Sequence, residues 1–173
     1  MKFWKIRFLL TCFFLLNSFA NCSPKVELPE YFMQKYKTVH GKSSNLAEFS
    51  DKTIALYFWS SDCLECKDSN RIASDLLKDF GSGITQLGVN TDKQENQARA
   101  VDIALKFGIT YDSLYDPDLS LVQILQIERQ PALGLLIISK NGIGNNVLYD
   151  LTESNKKDLL LKINEIKNKG EAR

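Results

Sequence analysis

Two cysteines, Cys63 and Cys66, follow closely after a strongly apolar segment, and this arrangement limits the possible folds more than any other feature of the chain. Residues 53–59 (TIALYFW) are β-branched, aliphatic and aromatic, and both faces of the segment are apolar, as expected of a buried central strand. Residues 60–62 (SSD) are of types that cap helices. We therefore predict a buried strand, a tight turn, and a helix over residues 63–80.

The rest of the chain alternates between strand and helix patterns. Strand patterns cover residues 84–90, 111–115, 132–139 and 144–149, and helix patterns cover residues 95–107, 119–125 and the segment after Ser154. This order predicts an α/β fold with a central mixed β-sheet flanked by helices. With 173 residues, the chain is long enough for one ordinary domain and too short for two.

Two of these helices have apolar stripes that predict their inner faces. In the helix over residues 95–107 the inner stripe should consist of Ala98, Val101 and Leu105 together with the nearby Ile103 and Ala104. The last helix should be capped by Ser154 and should bury Leu159 and Ile163.

The N-terminus has the pattern of a targeting segment. Residues 1–7 are basic, and residues 8–16 form an apolar core that is too short for the roughly 20 residues of a membrane span. We predict a signal peptide over residues 1–21; an uncleaved N-terminal anchor is the alternative. Either interpretation places the domain outside the cytoplasm.

Cys22 stands directly after this segment. The preceding residues 18–21 (SFAN) resemble a bacterial lipoprotein cleavage box, which predicts lipidation of Cys22 and attachment to a membrane. Residues 22–30 are polar, contain Pro24 and Pro29, and are predicted to be a tether to a domain over residues 31–173. Ordinary cleavage without lipidation is the alternative.

Charge and composition exclude several partners. The formal net charge is +1, and the basic residues neither cluster nor alternate with aromatics, so we predict no nucleic-acid surface. A zinc site at the cysteine pair would need two more ligands, and the only histidine is His40, which we interpret as a surface turn residue. We predict no metal and no cofactor.

The spacing of Cys63 and Cys66 lets their sulfur atoms bridge at the start of a helix. The positive helix terminus and free backbone N–H groups beside Cys63 favour the thiolate, which is the nucleophile in disulfide exchange. We predict that Cys63 attacks a substrate disulfide and that the more enclosed Cys66 then releases the product. A structural disulfide is the alternative, although a loop this tight removes little chain entropy. Peroxidase chemistry would need a Thr and a Pro before a lone reactive cysteine, and Cys63 has neither.

Several motifs resemble the thioredoxin superfamily, above all its TlpA-like exported branch. They are residues 57–67 (YFWSSDCLECK), the preceding turn at 46–52, Gln130-Pro131-Ala132 and the hairpin signal at 140–142. The resemblance implies a thioredoxin-like fold and a thiol–disulfide oxidoreductase. It also implies that Pro131, with Gln130 before it, faces the cysteine pair in a cis peptide and binds substrate together with Trp59; an ordinary trans proline is the alternative.

The chain departs from that family at four positions. Asp62 stands where a bulky residue is usual, and Glu65 stands where proline is common. Ser69 replaces a buried glutamate of many TlpA-like reductases, and Tyr57 replaces the buried acid under the pair, which leaves the proton-handling step open. The carboxylates of Asp62 and Glu65 should oppose thiolate formation at Cys63 and so favour a reducing couple, unless both simply point into water.

We therefore expect an enzyme that reduces disulfides of extracytoplasmic proteins and draws electrons from a donor in the membrane or envelope. A disulfide oxidase or isomerase is the alternative within the same chemistry. A lipoprotein that binds a partner and keeps Cys63 and Cys66 permanently bridged is the alternative from another class.

Overall fold

A computed structural model describes residues 28–78, 80–127, 134–138 and 148–171, and within these residues seven strands form one mixed sheet. In chain order the strands are β1 (Tyr36–Thr38), β2 (Ser43–Ser44), β3 (Thr53–Trp59), β4 (Ile84–Asn90), β5 (Ser113–Tyr115), β6 (Gly134–Ile138) and β7 (Leu148–Asp150). They lie side by side in the order β2-β1-β5-β4-β3-β6-β7. Strands β3, β4 and β5 are parallel, whereas β1, β6 and β7 each run antiparallel to their neighbours.

Helices cover both faces of this sheet. They are α1 (Glu30–Met33), α2 (Cys66–Lys78), α3 (Gln97–Lys106), α4 (Ser120–Ile124) and α5 (Lys156–Glu171). The prediction of an α/β fold with a mixed sheet between helices is confirmed. No helix within the described ranges is long and apolar enough to cross a membrane.

The central strand β3 divides the interior into two cores. All seven of its residues are buried, and successive side chains point to opposite faces. Ala55, Tyr57 and Trp59 pack into the core that also receives α2 and α5, whereas Ile54, Leu56 and Phe58 pack into the core under α1 and α4. A strand that is buried on both sides explains why the sequence over 53–59 is apolar throughout.

The N-terminal part of the domain contains an edge hairpin that the sequence did not predict. Strands β1 and β2 flank a turn at residues 39–41, and β1 extends the sheet by pairing antiparallel with β5. Gly41 has a φ of +79°, a conformation that glycine adopts without strain. His40 lies exposed in this turn, as predicted.

The helix after the cysteine motif begins later than predicted. Helix α2 starts at Cys66, whereas the sequence predicted a start at about residue 63. Cys63 lies in a turn before the helix, where its N–H donates to the carbonyl of Ser60 over 3.2 Å. The helix also ends earlier, at Lys78, because Gly81 with a φ of +57° begins a short 3-10 turn.

Two further predictions about helices are wrong in detail. In α3 the predicted Ala104 is buried and Ile103 packs against the core, but Ala98 is exposed, Leu105 is 69% exposed, and the unpredicted Ala100 is buried. Before α5 the cap is Thr152, which forms a reciprocal capping box with Asn155. Leu159 and Ile163 are buried, as predicted.

Some predicted features lie outside the described residues. They are the signal segment 1–21, the lipidation site Cys22, and the proposed substrate-binding residues Gln130 and Pro131. The division into signal, tether and domain stays a prediction.

A tight three-residue contact joins the three parallel strands at the end of β3. The indole N–H of Trp59 donates to Ser113 Oγ in β5 over 2.8 Å, and Gly88 of β4 lies beneath this bond. A Cβ atom on Gly88 would lie 2.4 Å from Ser113 Oγ and 3.1 Å from the Trp59 indole nitrogen. Only glycine therefore leaves room for the hydrogen bond.

We predict that Gly88→Ala lowers the free energy of unfolding by about 1–3 kcal/mol, the usual cost of overpacking a rigid interior. Gly83→Ala is the matched control, because its Cβ would meet only the flexible end of Lys167, 3.0 Å away. Urea unfolding followed by circular dichroism compares the two. Equal stability of both variants and the parent chain would contradict the packing argument.

Candidate active site

Cys63 and Cys66 form a disulfide at the end of the central strand. Their Cα atoms are 5.4 Å apart, within the usual range for a bridge. The two sulfurs differ in access, because Cys66 is fully buried and Cys63 is partly exposed. A partner sulfur arriving from solvent therefore meets Cys63 first.

Two consecutive turns bring the sulfurs together. The first is closed by the Cys63 N–H on the Ser60 carbonyl, and the second by the Cys66 N–H on the Cys63 carbonyl over 3.3 Å. The N–H groups of Asp68 and Ser69 both donate to the Glu65 carbonyl over 3.1 Å. These four N–H groups are therefore not available to stabilise a thiolate at Cys63.

A buried carboxylate accepts a hydrogen bond from the turn that precedes Cys63. Asp92 is 4% exposed, and both of its oxygens accept the Ser61 N–H, over 2.8 and 3.1 Å. The side-chain amide of Asn90 donates to the same carboxylate over 3.1 Å. Asp92 follows β4, which runs parallel to β3. The polar residues that follow the two strands therefore lie together at the carboxyl ends of those strands.

An arginine from α3 neutralises the acidic residue before Cys63. Arg99 Nη1 lies 2.6 Å from Asp62 Oδ1, and its other terminal nitrogen donates to the Ser61 carbonyl over 3.4 Å. Asp62 therefore faces a cation rather than standing alone beside the sulfur. The prediction that Asp62 opposes the thiolate of Cys63 is weakened accordingly, whereas Glu65 is exposed beside the pair.

Two hydroxyl groups form the floor under Cys66. The Tyr57 hydroxyl donates to the Cys66 carbonyl over 2.6 Å and lies 3.0 Å from Ser69 Oγ. Burial raises the pKa of Tyr57 well above its usual value, and the hydrogen bond with Ser69 offsets this only in part. Tyr57 therefore stays protonated at neutral pH and cannot accept a proton there, as the sequence suggested.

Trp59, which the sequence analysis expected to help bind substrate, lies in the interior of the domain. Its side chain is fully buried, it donates to Ser113, and it packs edge-on against Phe107 with ring centroids 6.4 Å apart. The physical reason is that β3 is covered on both faces, so each of its side chains is buried. Among the described residues no group of three or more His, Cys, Asp or Glu side chains lies close enough to hold a metal ion.

The sequence analysis missed Asp92 and Arg99. A signal for Asp92 was present, because residues 90–92 (NTD) follow a buried strand, and the ends of parallel neighbours lie side by side. Arg99 had no comparable signal, because its pairing with Asp62 depends on how α3 packs beside the turn.

Comparison with known proteins places this site in a family. Residues 21–145 match the model of the AhpC/TSA family. The thioredoxin-like protein YneN of Bacillus subtilis is 30% identical over 79 residues, a match that spans 44% of this chain and only 43% of that relative.

Solved structures of thioredoxin-like proteins share the fold. The MTB protein dsbF has 17% sequence identity and a TM-score of 0.65, and the superposition covers 81% of this chain and 99% of that one. A secreted disulfide oxidoreductase of Mycobacterium tuberculosis has 17% identity and a TM-score of 0.59 over 79% of this chain and 98% of that one. The exposed lipoprotein thioredoxin Etrx1 of Streptococcus pneumoniae has 21% identity and a TM-score of 0.55 over 76% and 98%. The predicted thioredoxin-like fold is confirmed.

The ion pair between Asp62 and Arg99 predicts how the reactivity of Cys63 in the reduced protein changes when either partner is replaced. Arg99→Gln leaves a lone carboxylate beside Cys63 and should slow its alkylation by iodoacetamide at pH 7 about twofold to threefold, as expected of an exposed ion pair. Asp62→Asn should speed alkylation by a similar factor, and the double variant should return close to the parent rate. Cys66→Ala in every background ensures that only Cys63 reacts.

Arg71→Gln provides the matched control, because Arg71 pairs with Glu153 over 2.9 Å and with Asp75, none of them beside the cysteines. Salt at about 1 M should reduce the differences, because it shortens the screening length to about 3 Å. Identical rates for all variants would show that the ion pair does not act on Cys63.

Proposed function

The chain belongs to the AhpC/TSA family, and on that premise we propose that it is a thiol–disulfide oxidoreductase that reduces disulfides of extracytoplasmic proteins through Cys63 and Cys66. The observation that carries the proposal is the unequal access of two bridged sulfurs, one open to solvent and one fully enclosed. Thiol–disulfide exchange needs this asymmetry, because one sulfur must attack the client disulfide and the other must resolve the mixed disulfide afterwards. Peroxidase chemistry is disfavoured because residues 60–62 before Cys63 contain neither Thr nor Pro.

The reaction begins from the reduced dithiol. The Cys63 thiolate attacks one sulfur of the client disulfide, a mixed disulfide forms, and the other client sulfur leaves as a thiolate that takes a proton from water. Cys66 then loses its proton to solvent and attacks Cys63 Sγ, which releases the second client thiolate. Two electrons pass from the pair to the client, and the Cys63–Cys66 disulfide is left oxidised. A donor dithiol must reduce it before the next cycle.

The surroundings of the pair favour the reducing direction. Strong oxidants have a stabilised reduced form, that is, a stabilised thiolate. Here the N–H groups of Cys66, Asp68 and Ser69 are bonded to backbone carbonyls, and Glu65 and Asp68 place negative charge at that helix terminus. Arg99 removes the effect of Asp62 but supplies no excess positive charge, since the two form a pair.

Neither of the two hydroxyls beneath Cys66 acts as a base, so the proton of the Cys66 thiol passes to solvent. Tyr57 and Ser69 are hydroxyls, and the raised pKa of Tyr57 keeps it protonated. They hold the Cys66 carbonyl and thereby fix the start of α2. Their role in the proposal is to position the second sulfur.

The location and the partners extend this proposal. A signal segment over residues 1–21 would export the domain, and lipidation of Cys22 would tether it to a membrane, close to a membrane-borne electron donor. Two of the similar structures come from proteins described as secreted and as an exposed lipoprotein, which supports an extracytoplasmic site. Gln130 and Pro131 are proposed to present the client chain to Cys63.

Serine variants of the two cysteines test the chemistry. Cys63→Ser should abolish reduction of insulin by dithiothreitol beyond the uncatalysed rate, because the attacking sulfur is absent. Cys66→Ser should accumulate a mixed disulfide with insulin chains, visible as a mass increase that dithiothreitol removes. Turbidity and mass spectrometry provide the two measurements.

The serine variants exchange their outcomes if the roles are reversed, so a stable adduct at Cys66 in Cys63→Ser would contradict the assignment. A parent protein that neither reduces insulin nor forms adducts would favour the partner-binding lipoprotein. A parent protein that oxidises reduced clients faster than it reduces their disulfides would favour the oxidase.

A Cys22→Ser variant tests the anchor separately. In a bacterial host that processes lipoproteins, the parent chain should fractionate with membranes and Cys22→Ser should shift to the soluble fraction. Labelling with a membrane-impermeant maleimide on intact cells reports the side of the membrane. Membrane association that Cys22→Ser leaves unchanged would contradict the lipid anchor.

A further inference from the structure

Leu64, between the two cysteines, is the most exposed large hydrophobic residue among those that the structure describes. Its side chain is 87% exposed, compared with 69% for Leu105 and 62% for Leu161. Asp62 and Glu65, on either side of Cys63 and Leu64, are charged and exposed. The reaction proposed above assigns no role to the side chain of Leu64.

The turn does not need an apolar side chain at this position. Main-chain hydrogen bonds close it, from the Cys63 N–H to Ser60 and from the Cys66 N–H to Cys63, and Leu64 is not part of either apolar core. Polar residues serve equally well in such turns. The apolar surface of Leu64 therefore contributes nothing to the fold while it faces water.

A client bonded to Cys63 would cover this surface. The Cα atoms of two bridged cysteines lie roughly 5.5–6 Å apart, and the next Cα along a chain is about 3.8 Å further. Leu64 is itself the next residue after Cys63. The residue beside the client cysteine therefore lies within reach of Leu64 in the mixed disulfide, in a direction set by the covalent bond.

We propose that Leu64 is a specificity-determining contact, which packs against an apolar side chain next to the client cysteine. This inference rests on the proposed function and names its client class: protein disulfides flanked by apolar residues. Such residues are buried in folded proteins, so the preferred clients are chains that have not completed folding. Cys63 and Cys66 reduce the client disulfide, and the contact with Leu64 determines which disulfides are reduced fastest.

The test compares two peptides with one internal disulfide each, identical except that one cysteine is flanked by Leu in the first and by Ser in the second. The second-order rate of their reduction by the reduced protein is measured under pseudo-first-order conditions. The parent chain should reduce the Leu peptide about fivefold to tenfold faster, as expected when the contact buries part of a leucine side chain. Leu64→Gln should lower this preference below about twofold and leave the Ser peptide unaffected.

Three further measurements separate recognition from other effects. Leu105→Gln and Leu161→Gln are matched controls, because they change other exposed leucines away from the cysteines and should keep the full preference. Leu64→Met should restore it, since methionine offers a similar apolar surface. The reduction potential of Leu64→Gln should equal that of the parent chain.

The outcomes distinguish this inference from the function on which it rests. If the parent chain reduces both peptides equally, or if Leu64→Gln keeps the preference, the inference is wrong and the oxidoreductase stands. If Leu64→Gln slows both peptides alike or shifts the potential, Leu64 tunes the cysteines and does not select clients. A parent chain that reduces neither peptide would overturn both proposals.

Discussion

The site depends on one constraint. The chain leaves a strand that is buried on both faces, turns at once, and presents two sulfurs at the carboxyl end of that strand. Strand β3 has no exposed residue, and within four residues of its end Cys63 reaches solvent. Backbone hydrogen bonds close the turn, and the buried carboxylate of Asp92 fixes it by accepting the Ser61 N–H. A rigid turn of this kind keeps both sulfurs within bridging distance without help from flexible side chains.

The charged groups around the pair leave no excess of positive charge, in keeping with the reducing couple proposed above. Arg99 compensates Asp62, the N–H groups of Cys66, Asp68 and Ser69 are bonded to carbonyls, and Glu65 is exposed beside the sulfurs. The floor of the site consists of hydroxyls, one of which, Tyr57, has its pKa raised by burial. No strong positive field therefore holds the thiolate, and the same surroundings explain why the proton of Cys66 is expected to leave to water.

The sequence predicted what depends on local pattern and missed what depends on packing between distant segments. The apolar run over residues 53–59, the following helix, and the alternation of strands and helices were sufficient for the fold. Strand β1 was missed because three residues carry no clear period and are defined by their pairing with β5, far along the chain. Arg99 was missed for the same reason, whereas the burial of Trp59 follows from the buried strand that the local pattern already predicted. The start of α2 was predicted too early, because the capping residues 60–62 form a separate turn first.

The most direct test of the account is a redox titration of the Cys63–Cys66 couple. Trp59 packs in the same core as Cys66 and is one of only two tryptophans, the other being Trp4, so its fluorescence reports the state of the pair. Equilibration in dithiothreitol buffers, with free thiols counted in parallel, should give one reversible two-electron transition near roughly −270 mV or somewhat above, the range of thioredoxin-type reductants. A disulfide that resists reduction below about −300 mV, as structural bridges do, would contradict the account.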